Sequence, residues 1–108
     1  MGVDHAWEHF YSAVRFTLVS DASPQGRLSY LISEVCHLQR DSFPDEQVWD
    51  EFRRLLDKTT KRGTGDKGAE RIDTTSQMSE ERAKECLQAA FDIFCHVAKA
   101  FGRAEFVI

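Results

Sequence analysis

The chain has 108 residues, 14 Lys and Arg against 18 Asp and Glu, a net charge of −4, and 42% hydrophobic residues. That length fits one domain, and this balance of charge and apolar content excludes an intrinsically disordered chain. No apolar run approaches the roughly 20 residues that cross a bilayer, which excludes a membrane-spanning helix.

Helical periodicity dominates, and four segments follow one another along the chain. The first is expected over about 4–20, where Val3, Trp7, Phe10, Tyr11, Val14 and Leu18 share one stripe at about 100° per residue. Residues 21–26 read as a turn, with Ser23 as N-cap and Pro24 at the first helical position. The second helix, about 24–40, places Leu28, Leu31, Ile32, Val35 and Leu38 in the core. After a break around Pro44, a third helix over about 44–61 carries Val48, Trp49, Phe52, Leu55, Leu56 and Thr59 on one face. Its acidic start, Asp45 and Glu46, and its basic end, Lys61 and Arg62, both suit the helix dipole.

Residues 62–75 show no periodicity and are expected to be a long flexible loop. Two N-terminal signals then compete for the last helix: Thr74 with Gln77, or Ser79 followed by Glu80 and Glu81. This helix is expected over about 76–102, with Gly102 as its stop and Ala83, Leu87, Ala90, Phe91, Phe94, Val97, Ala98 and Phe101 buried. No stretch alternates convincingly between apolar and polar residues, so no strand is expected. The fold class is therefore all-α: one domain, an antiparallel four-helix bundle with a long loop between helices three and four.

Few residue patterns point to chemistry. Glu34 and His37 form an E-x-x-H pair, the spacing used by di-iron bundles, but their helical projection turns His37 away from the apolar face. His5 and His9, four residues apart, share an outward face, and two imidazoles do not make a selective metal site. Neither a metal nor a cofactor is expected on these grounds. Residues 63–68 match G-x-G-x-x-G in letters but lack the preceding strand and the helix that must follow. Cys36, Cys86 and Cys95 are an odd number without a C-x-x-C pair, so reduced thiols packing as small hydrophobes are expected. Such thiols suit a cytoplasmic protein. The first six residues also lack the basic and apolar regions of a secretory signal.

Charge and misplaced apolar residues are more informative. Residues 1–52 carry 3 basic and 9 acidic groups, whereas residues 53–71 carry 7 basic and 3 acidic ones. The cations Arg53, Arg54, Lys58, Lys61 and Arg62 thus form a basic segment in an acidic protein. Overall acidity, and the absence of aromatics between Phe52 and Phe91, argue against nucleic acid as its target. Phe16 and Tyr30 lie off their helices' apolar stripes, where a second apolar patch often meets another chain. The leading expectation is a small interaction or adaptor domain binding another protein, or itself as a homodimer. Phe16 and Tyr30 would supply one contact surface and the five cations another. The alternatives are a small-molecule or nucleotide-binding enzyme with a site in the bundle or under the 60–76 loop, and nucleic-acid binding through residues 53–71.

Overall fold

The computed structural model describes residues 2–60 and 74–106. Within them the chain is all-helical, in the order α1 (Val3–Val19), α2 (Pro24–Val35), a 3-10 turn (Arg40–Ser42), α3 (Glu46–Lys58), a single helical turn α4 (residues 74–77) and α5 (Glu80–Phe106). The segment expected to be a flexible loop lies mostly outside the described residues, as do Lys61, Arg62 and the G-x-G-x-x-G match. Its last two positions belong to α4 instead, and Thr75 is fully buried.

Helix boundaries follow local hydrogen bonding. The Ser23 hydroxyl accepts from Gly26 N–H at 3.1 Å, and Pro24 opens α2 at the position where a missing N–H costs nothing. Asp45 caps α3 by accepting from Val48 N–H at 2.9 Å. Ser79 wins the competition for the start of the last helix, its hydroxyl accepting from Arg82 N–H at 3.1 Å. At the far end of α3, the Thr59 hydroxyl donates to the carbonyls of Leu55 and Leu56, which explains a threonine at zero exposure.

Two expected boundaries are corrected. The second helix stops at Val35, with Cys36 as C-cap, and Leu38 reaches the core from a turn. Its stripe position looks helical only because the turn brings it back over the same core. Gly102 does not end the last helix, which continues to Phe106. A glycine stop works by entering the left-handed region after the last turn, and here the helix passes straight through it.

Helices α1, α2 and α5 pack against one another in all three combinations, while α3 packs principally on α5. At 27 residues, α5 is about 40 Å long and sets most of the 47 Å long axis; the thinnest dimension is 18 Å, about two helices. One continuous core joins them, centred on Phe10, Phe52, Leu28, Leu31, Ile32, Leu55 and Ile93. On α1 the most deeply buried positions are Ala6, Phe10 and Ala13. Small alanines weigh little in an apolar pattern, yet they let neighbouring backbones approach. The expected stripe is displaced as a result, and Leu18 stands 79% exposed. Phe91 likewise leaves the buried face of α5, where Cys86 and Ile93 take core positions.

Phe10, Phe43, Trp49 and Phe52 form an aromatic cluster, with ring centroids 4.6 Å apart for Phe43–Phe52 and 6.0 Å for Phe10–Phe52. Trp7 stacks on Phe101 at 4.6 Å, fixing the start of α1 to the end of α5. Gly102 gives a direct stability test, because a Cβ there meets no atom within 4 Å. Gly102→Ala is expected to raise stability by about 0.8–1.0 kcal/mol, read from the urea midpoint at unchanged slope, since it removes the entropic cost of a glycine inside a helix.

Candidate functional site

The outer seam between α1 and α2 collects residues that their individual helical projections leave unexplained. The tight turn after Ser20 sends α2 back antiparallel to α1, so low numbers on one helix meet high numbers on the other. Arg27 donates to the Ser20 carbonyl at 2.6 Å. Phe16 and Tyr30 stack with centroids 3.8 Å apart and planes 25° from parallel. Further along, His9 and Glu34 meet at 3.1 Å between Nδ1 and Oε1. At the end of the seam His37 sits over both histidines of α1, with ring centroids 4.5 Å from His9 and 5.9 Å from His5. The sequence expectation paired His5 and His9 on an outward face and left His37 apart; the fold brings all three together.

All three imidazoles offer a ring nitrogen, and these atoms lie within 4.8 Å of one another. His5 and His9 are half-buried and His37 is exposed. Burial pushes the His37 imidazole below its ordinary range, the nearby His9 and His5 push the same way, and Glu34 opposes them. His37 is therefore held towards its neutral form, the form in which an imidazole nitrogen can accept a proton or a metal ion. The signal that could have found this cluster is the turn length. A turn of this size forces the exposed edge of α1 to lie beside that of α2, so residues pointing away from the core still point towards each other.

The thiols divide by burial. Cys86 is in the core, where desolvation pushes its pKa up, whereas Cys95 is exposed. All three cysteines are free.

Of the basic segment, Arg53, Arg54 and Lys58 are described, all exposed on α3. Arg54 and Lys58 line a groove of about 430 Å³ between α3 and α5, shared with Cys95 and His96 and flanked by Glu51 and Asp92. Arg53 is not among the groove's lining residues. A second groove, about 280 Å³, runs between α1, α2 and α5 and is mostly apolar, lined among others by Val14, Leu18, Leu31, Leu87 and Phe91. Arg27 and Lys84 sit among its lining residues as well. Of the apolar lining residues, Leu18 is 79% exposed and Phe91 47% exposed.

No protein family, curated protein or solved structure matches the chain. No helix among the described residues is long and apolar enough to cross a membrane.

The depressed proton affinity of His37 has a pH consequence. The folded chain binds fewer protons at this site than the unfolded chain. Stability from this source is therefore present above the ordinary histidine pKa of about 6.5 and is lost as pH falls through the lower, folded-state value. Urea midpoints at about pH 7.5 and pH 5.5 bracket that window. Wild type is expected to lose more stability across it than His37→Gln, which lacks the titrating group.

Proposed function

We propose that this chain is a protein-interaction domain, an antiparallel four-helix bundle that binds a partner protein or a second copy of itself in a reducing, cytoplasmic setting. One observation carries the reading: Leu18 and Phe91 line the apolar groove between α1, α2 and α5 and both stand exposed there. Exposing large aliphatic and aromatic side chains side by side costs solubility, and such clusters rimmed by polar groups mark contact sites. An amphipathic helix suits a groove of this kind, laying apolar side chains along it. Arg27 and Lys84 at the groove favour an acidic margin on that partner.

Phe16 and Tyr30 are carried in this proposal as a lesser contact. They stack on each other, which accounts for both being off-stripe, and the Tyr30 ring keeps an exposed edge. Arg53, Arg54 and Lys58, with Lys61 and Arg62 beyond the described residues, supply a separate electrostatic contact for acidic side chains. A second reading, a site for an anionic small molecule, draws on Arg54, Lys58 and His96 meeting in one groove. The carboxylates of Glu51 and Asp92 in the same groove weigh against an anion there.

Site-specific photocrosslinking in the native cell tests the interaction reading. A photoreactive phenylalanine analogue at position 18 or 91 is expected to give a discrete crosslinked species, and the same group at position 8, on the exposed side of α1, is expected to give none. Sedimentation velocity of the purified chain separates the two kinds of partner: a dimer at micromolar concentration, dispersed by Leu18→Ser/Phe91→Ser, identifies a second copy. Absence of any crosslink from positions 18 and 91, together with a monomeric wild type, would refute the proposal.

A further inference from the structure

We propose that His5, His9 and His37 form a site for one divalent first-row transition-metal ion, with zinc(II) as the natural occupant, and that Glu34 is its positioning residue. The site does not rest on the interaction reading above: it lies at the α1–α2 seam, and none of its residues lines the apolar groove.

The donor set fits that class of ion. Imidazole nitrogen suits zinc, nickel and copper, whereas calcium and magnesium demand oxygen ligands. Nitrogens about 2.0–2.1 Å from a tetrahedral zinc are about 3.4 Å from one another. The three ring nitrogens already lie within 4.8 Å. One of the three residues is exposed and two are half-buried, so their side chains have room to rotate towards a shared ion. Three protein nitrogens leave a fourth position for water, the coordination of an open site rather than a closed structural one.

Two features separate this cluster from a chance pair of surface histidines. First, the ligands come from two chain segments: His5 and His9 are one turn apart on α1, and His37 follows the end of α2. An ion there ties the start of α1 to the end of α2. Second, Glu34 already holds His9 through Nδ1 at 3.1 Å. A carboxylate accepting from Nδ1–H fixes the tautomer and leaves the Nε2 lone pair free, the outer-shell arrangement that orients metal-binding histidines. Glu34 faces the cluster from α2, and its carboxylate partly offsets the charge of a bound dication.

The test uses the full chain with no affinity tag, stripped of metal, with its thiols reduced. Calorimetric titration with zinc chloride is expected to give one ion per chain and a thermal midpoint that rises with zinc concentration, because the ion binds the folded state preferentially. His37→Gln and His9→Gln should each abolish that rise. Glu34→Gln is expected to weaken binding about 10–100-fold and to shift its pH dependence, as loss of an orienting carboxylate does. Cys95→Ser/His96→Gln, changed in the separate α3–α5 groove, should leave affinity unaltered. Far-UV circular dichroism of each metal-free variant shows whether it is folded. Imidazole proton resonances of the wild type need no variant: zinc should move those of His5, His9 and His37 together and leave His96 in place. Three results would overturn the site: no bound zinc, binding that survives His37→Gln as a simple i,i+4 pair would, or zinc-induced shifts confined to residues outside the three histidines.

Discussion

Ser20 and Ser23 bracket a turn so short that α2 has to return along the outside of α1. That return fixes the register of the pair, and most of what is specific about the molecule follows from it. Arg27 reaches the Ser20 carbonyl, Phe16 lies on Tyr30, His9 meets Glu34, and His37 closes over His5 and His9. On the inner side of the same pair, Ala6, Phe10 and Ala13 of α1 and Leu28, Leu31, Ile32 and Val35 of α2 are buried, and α5 lies against both helices. A slip of one residue on either helix would rotate it by about 100° and separate the inner contacts and the seam contacts together. Burial of the inner face, at about 25 cal/mol per Å² of apolar surface, therefore also holds the seam in place.

The core was largely legible in the sequence, because burial on a helix repeats every three or four residues. Leu28, Leu31, Ile32, Val35 and Leu38 were all expected inside and all are. The aromatic residues of α3 and the cap at Ser23 were equally plain, since each has a local cause; Asp45, expected at the acidic start of a helix from about 44, is itself the cap of a helix that begins at Glu46. What escaped depends on pairs of elements. Leu18 belongs to an apolar stripe on α1 taken alone, but two alanines at the centre of the contact move the packed face away from it. Gly102 reads as a stop until the helix is seen to continue beyond it.

The histidines show the same limit most sharply. A projection of one helix separates inside from outside, and by that measure His5, His9 and His37 are correctly outside. It carries no information about which outward edges are neighbours. His37 is also beyond the end of α2, in a turn to which helical angles do not apply. Phe16 and Tyr30 follow the same pattern, each off its own stripe and stacked across the seam. Two faces with different chemistry result: a polar, histidine-bearing seam between α1 and α2, and an apolar groove where α5 joins them.

Proton–proton nuclear Overhauser contacts measure the register of the seam most directly. Cross-peaks are expected between the ring protons of Phe16 and Tyr30 and, in the same spectrum, between those of His9 and His37. Ring contacts from His37 to neither His9 nor His5, with Phe16 and Tyr30 also apart, would contradict it and remove the histidine cluster with it.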